Sequence, residues 1–195
     1  MSFTNPLKPL SAALNSLGLP FTIVGSMASS ARGIPRATMD IDIVVRIGPF
    51  HAERLAVALG AEWYVEPAQI RDAIQAGRAF NVIHMRSGWK VDFFPAHSEF
   101  HASEMQRATM EPVVIEGDEV SCPVSPAEDT LLAKRRWYRD GGETSDRQWG
   151  DITGLIGANP DLDLEYVRPW ASRLGVSDLL ARALAVSDVP PPSKR

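Results

Sequence analysis

One cysteine, four histidines and no long apolar run are what this 195-residue chain has to offer the commoner routes to function. A single thiol, Cys122, excludes an internal disulfide, and the scattered histidines show no zinc-like spacing. Between Ser121 and Pro123, Cys122 reads as a strand or loop residue rather than a nucleophile. No stretch approaches the roughly 18 apolar residues of a membrane span, and the N-terminus lacks a charged region followed by an apolar one. A cytoplasmic protein without a membrane partner is expected. The formal charge of −4 argues against a chain coated in nucleic acid but leaves room for a local basic patch. What remains is ordinary: 45% hydrophobic and 23% charged residues, in a length that suits a catalytic domain with a helical appendage.

What is present is a pattern of carboxylates. Asp40 and Asp42 head the apolar run Ile43-Val44-Val45. A strand has period two, so the two aspartates share a face and can hold a divalent cation together, while Ile41 and Ile43 point to the core. Upstream, Phe21-Thr22-Ile23-Val24 reads as a short buried strand that ends at Gly25-Ser26 and turns into a helix-compatible stretch, Met27 to Arg32. That turn aims backbone N–H groups at an anion, with Gly25 allowing close approach and Ser26 donating to phosphate. By itself it also fits an ordinary strand-to-helix cap. Downstream, Lys90-Val91-Asp92 lies in the apolar stretch Trp89 to Phe94, so Asp92 is a third carboxylate able to complete a two-metal site. Lys90 shares its face and binds phosphate, orients Asp92 or forms a surface ion pair. Trp89, Val91 and Phe93 alternate with it as core.

The pattern along the chain predicts a helix over Pro9 to Leu19, a second strand over Asp40 to Ile47, and helices over Phe50 to Leu59 and Ile70 to Ala76. It also predicts a hairpin of Phe80 to Met85 with Trp89 to Phe94, and another of Pro112 to Glu116 with Val120 to Val124. After Val124 the pattern turns helical: Pro126 to Asp140, Ser145 to Ile156, Leu164 to Leu174 and Ser177 to Val186. The expected organisation is a catalytic domain over 1–124, a helical subdomain over 125–188 and a disordered, proline-rich tail over 189–195. The fold class is α+β, a mixed sheet with flanking helices followed by a C-terminal helical bundle.

A Gly-Ser turn, an Asp-x-Asp and a later third carboxylate resemble the signature of the nucleotidyltransferase superfamily that includes DNA polymerase beta. The closer resemblance is to its small bacterial branch containing the toxin of the type IV abortive-infection systems. In that branch a Lys-x-Asp, here Lys90-Val91-Asp92, and a helical lysine with a later aspartate, here Lys134 and Asp151, complete the pattern. The resemblance implies an NTP substrate, two Mg2+ ions held by Asp40, Asp42 and Asp92, and nucleotide contacts from Gly25, Ser26, Arg36, Lys90, Lys134 and Asp151. It implies transfer of a nucleoside monophosphate to an acceptor hydroxyl, with RNA, such as a tRNA end, as acceptor and an antitoxin protein as partner. Arg135, Arg136 and Arg139 then meet an RNA backbone, or else the run Lys134 to Arg139 is a solvated face with its aromatics packed inward. Two rival readings stand beside this one: transfer to a small molecule such as an antibiotic or to a protein side chain, and a nucleotide-binding module without turnover.

Overall fold

A computed structural model describes residues 5–33 and 37–187. The chain divides into two compact units, one of Met1–Met27 with Arg36–Ser125 and the other of Ala28–Pro35 with Pro126–Arg195. The expected tail over 189–195 lies outside the described residues.

The first unit opens with α1 (Leu7–Ser16), whose Leu7, Leu10 and Leu14 recur at helical spacing and are fully buried. This helix starts before the expected Pro9, because the first turn has no intrahelical N–H bonds to lose and so accepts a proline. Asn5 fixes the start: its Oδ1 accepts from Leu7 N–H at 2.9 Å and its Nδ2 donates to the Asp118 carbonyl at 3.1 Å. Strand β1 (Phe21–Val24), helix α2 (Gly25–Arg32, from Ala28 onward part of the second unit), β2 (Asp40–Val45), α3 (Ala52–Leu59), β3 (Trp63–Tyr64), α4 (Pro67–Gln75), β4 (Phe80–His84) and β5 (Lys90–Pro95) follow. Then come α5 (Glu99–Arg107), β6 (Thr109–Ile115) and β7 (Asp118–Val124).

The strands form one seven-stranded mixed sheet in the order β3-β4-β5-β2-β1-β7-β6. The pairs β2/β5 and β1/β7 are parallel and the rest antiparallel. Period-two alternation buries Ile41, Ile43, Val91 and Phe93 completely and leaves Asp40, Asp42, Lys90 and Asp92 on the opposite face.

Three further elements differ from the sequence expectation. Helix α5 follows a capping signal that periodicity passes over: Ser98 Oγ accepts from His101 N–H at 3.1 Å, and Glu99 lies in the first turn. Strand β3 is two residues long, too short to show a period, and exists only because Trp63 and Tyr64 pair with His84 and Ile83. Strand β6 begins at Thr109 rather than Pro112. Proline costs a strand only the hydrogen bonds its missing N–H would have made, and β6 is the sheet's edge.

The second unit holds the helices α6 (Ala127–Asp140), α7 (Asp146–Ala158), α8 (Leu164–Arg173) and α9 (Ser177–Ser187). Ser145 and Asp163 cap α7 and α8, accepting from Gln148 N–H and Tyr166 N–H. Leu131, Leu132, Ile152, Leu155, Val167 and Ala183 are all fully buried. No helix among the described residues is long and apolar enough to cross a membrane.

Within this unit Arg135 is fully buried, and its three guanidinium nitrogens have no hydrogen-bond partner among the described residues. Burial lowers its proton affinity, to a pKa of about 9. A buried cation without a partner is destabilising, and replacing buried charge by an apolar side chain of similar volume commonly gains about 1–4 kcal/mol. Arg135→Met is therefore expected to raise the midpoint of thermal unfolding. A lowered midpoint would show that the packing of the arginine side chain outweighs the cost of burying its charge.

Candidate active site

Strand β1 runs into Gly25, where φ is +64°, and α2 starts at that residue. Antiparallel pairing sets Val24 level with Asp42, and parallel pairing sets Asp42 level with Asp92 and Asp40 level with Lys90. Neighbouring strands lie about 4.8 Å apart, so this register alone forces two carboxylates together on one face. An ideal Cβ on Gly25 would stand 2.0 Å from Asp42 Oδ2. Glycine is thus required by the close approach of turn and carboxylate.

The electrostatics follow from this crowding. Burial, and after it the charge of Asp92, pushes the Asp42 carboxyl up to about 6, with Asp40 adding to the rise. The backbone N–H of Ser26, hydrogen-bonded to Asp42, and the charge of Lys90 pull the other way. Lys90 Nζ lies 2.7 Å from Asp92 Oδ2 and 3.7 Å from Asp40 Oδ1. The hydrogen bond to Asp92 holds the ammonium more firmly protonated than an ordinary lysine. At the head of β2, Asp40 N–H donates to Thr38 Oγ1 at 3.3 Å.

Among the described residues no group of three or more carboxylate, imidazole or thiol side chains stands ready to hold a metal ion. A preformed cage is not what Mg2+ requires: it is held by one or two carboxylates, with waters and substrate phosphates completing the octahedron. The donor set here fits, since it is all hard oxygen and Asp42 gains from any cation that relieves its repulsion with Asp92.

Of the sequence candidates, Gly25, Ser26, Asp40, Asp42, Lys90 and Asp92 come together at this sheet face. Arg36 lies outside the described residues. Lys134 and Asp151 belong to the second unit, where the Lys134 ammonium meets Asp151 Oδ2 at 2.8 Å with both side chains largely buried. Sequence reasoning missed Asn81. It is exposed and level with Asp92 on β4, so it shares the carboxylate face. Only the register of the β4/β5 hairpin reveals it. Cys122 is buried in β7, and burial pushes its thiol up to about 11, which keeps it protonated and inert.

One solved structure shares the fold. The chain is similar to the solution structure of the antibiotic-resistance factor ANT(2'')-Ia, with 18% identity, a TM-score of 0.50 and coverage of 93% of this chain and 92% of that one. The fold is a nucleotidyltransferase fold. ANT(2'')-Ia in complex with adenylyl-2''-tobramycin is similar with 16% identity and a TM-score of 0.48 over 87% of this chain and 94% of that one. An antigenic nucleotidyltransferase-like protein from Paracoccidioides brasiliensis is similar with 17% identity and a TM-score of 0.47 over 92% and 91%. No family model and no curated protein matches the sequence.

Proposed function

We propose that this chain is a Mg2+-dependent nucleotidyltransferase that moves a nucleoside monophosphate from an NTP to an acceptor hydroxyl. One observation carries the reading: Asp42 and Asp92 are held level on adjacent parallel strands, directly beside the Gly25-Ser26 turn. Two carboxylates so placed repel each other unless a cation stands between them and a polyanion, and a nucleoside triphosphate supplies that polyanion.

Asp40, Asp42 and Asp92 hold the metal ions in this reading. Bound there, Mg2+ neutralises triphosphate charge and stabilises the leaving pyrophosphate. The chain's own residues do the rest. Gly25 lets a phosphate approach the backbone at the start of α2, where the Ser26 hydroxyl donates to it. Asp92, at the edge of the carboxylate group, accepts the proton of the acceptor hydroxyl. The hydroxyl oxygen bonds to the α-phosphorus as the bond to pyrophosphate breaks.

A small hydroxyl-bearing molecule is the acceptor this reading favours over RNA. The basic run on α6 was the chain's one dense cationic patch, and the structure uses most of it internally. Arg135 is fully buried. Arg139 meets Asp178 Oδ2 at 2.5 Å and Glu143 Oε1 at 3.2 Å, and the exposed Arg136 lies 3.9 Å from Asp140. The aromatics also turn inward: Tyr138 is buried with its ring 5.4 Å from that of Trp149, and Arg182 stacks on Trp149 at 4.0 Å. The likeness to an antibiotic-resistance factor is one of fold, and the preference for a small acceptor rests on α6.

The test is incubation with Mg2+ and each α-labelled NTP, alone, with total RNA, and with a panel of hydroxyl-bearing small molecules, using Asp92→Asn as control. Label on a small molecule, lost in the variant and on chelation, is the expected outcome. Label on RNA would restore RNA as the acceptor. Nucleotide binding with no labelled product under any acceptor would replace the enzyme by a binding module.

A further inference from the structure

Lys90 stands where a cation is wanted. The parallel register sets it level with Asp40, one step before the Asp42 and Asp92 pair, so its ammonium occupies one corner of a group whose other three corners are carboxylates. It reaches two of them, Asp92 Oδ2 at 2.7 Å and Asp40 Oδ1 at 3.7 Å. Its side chain is 42% exposed, against 21% for Asp92. The amine is therefore anchored at its strand but has open solvent to swing into.

We propose that Lys90 is a tethered counter-cation: it holds the carboxylates in the absence of metal, gives up that place when a divalent ion enters, and so makes metal binding depend on nucleotide. The proposal rests on the nucleotidyltransfer reading of the same site. A divalent ion held by Asp40 or Asp92 would compete with the ammonium for the same lone pairs and would repel it. Without nucleotide, the displaced ammonium exchanges a carboxylate for water alone. With nucleotide, a phosphate oxygen offers it a second anionic partner, so the metal displaces it at less cost. Metal and triphosphate then enter cooperatively although neither changes the fold. Lysine suits this use better than arginine, because a flexible stem carries a compact charge that moves from one oxygen to another.

The experiment is titration with Mn2+, following free Mn2+ by electron paramagnetic resonance, with and without a non-hydrolysable NTP analogue. Wild type, Lys90→Met and Lys90→Arg are compared, and circular dichroism confirms folding of each. Wild type is expected to bind Mn2+ weakly alone and at least roughly tenfold more tightly with the analogue, a common size for coupling between two ligands. Lys90→Met is expected to bind Mn2+ alone roughly tenfold more tightly than wild type and to lose most of the coupling. Lys90→Arg keeps the charge and is expected to bind Mn2+ alone as weakly as wild type. Equal or weaker Mn2+ binding by folded Lys90→Met, without the analogue, would overturn the proposal. Absence of Mn2+ binding in all three proteins under both conditions would instead overturn the metal-site reading beneath it.

Discussion

Asp42→Asn is expected to abolish nucleotidyl transfer and to make the protein more stable. The loss should be at least about a thousandfold, the scale on which removal of one member of a catalytic unit is felt. The gain in stability comes from the same carboxylate. In the folded protein its pKa is about 6, against an ordinary 3.8, because burial and the neighbouring Asp92 disfavour the charged form. The folded state therefore holds this proton more tightly than the unfolded chain. Below the lower value both states carry it and no penalty arises. As the pH rises through the interval, the folded protein loses stability, and the full cost is present above the upper value. One pKa unit is worth about 1.36 kcal/mol, so the cost at neutral pH is on the order of 3 kcal/mol. Asparagine removes it and keeps an oxygen for the Ser26 N–H.

Urea denaturation without metal should then show the variant ahead of wild type at neutral pH and level with it near pH 3. Added Mg2+ together with a non-hydrolysable NTP analogue should stabilise wild type more than the variant, since the cation relieves a repulsion the variant lacks. Equal stability of the two proteins at neutral pH would mean that the carboxylate is neither desolvated nor crowded. Activity retained by the variant would remove the basis of the enzymatic reading. A group that costs stability at rest is a common mark of a functional site.

Gly25→Ala is expected to damage both fold and site. The residue sits at φ +64°, and its added Cβ would lie 2.0 Å from Asp42 Oδ2, 2.6 Å from Cγ and 2.8 Å from Cβ. The left-handed conformation costs a non-glycine residue about 1–2 kcal/mol. Overpacking adds about 1–3 kcal/mol. The Asp42 side chain cannot rotate away without leaving its place beside Asp92, so transfer should fall with stability. Gly88→Ala is the matched control: its φ is +73°, but nothing lies within 4 Å of the added Cβ, so only the backbone cost applies. Unfolding free energies and transfer rates of the two variants separate the steric from the conformational contribution. Equal damage from both would contradict the close approach at Gly25.

Much of the carboxylate face was legible because a strand's period assigns side chains to faces without knowing their neighbours. Asp40 and Asp42, and Lys90 and Asp92, share faces for that reason alone. Their pairing across strands was another matter. Nothing local says that β5 lies beside β2 in parallel, or that Asn81 falls level with Asp92, because hydrogen-bond register belongs to two segments far apart in the chain. The short β3 and the proline-bearing β6 were illegible or shortened for the same reason: pairing with a neighbour, not local preference, makes them strands.

The basic run on α6 shows where composition misleads. Read as sequence, Lys134 to Arg139 is a cationic stripe that invites a phosphate backbone. In the fold, α6 buries several of its faces, so lysine and arginine are turned inward as well as outward, and acidic residues from α7 and α9 meet two of them. By itself the sequence determined the strands, the glycine turn and the faces carrying the carboxylates, because these follow from backbone geometry within a few residues. Only the tertiary structure decided which carboxylates meet, which cation stands among them and which arginines remain exposed. Those depend on register and packing between segments that no local pattern connects.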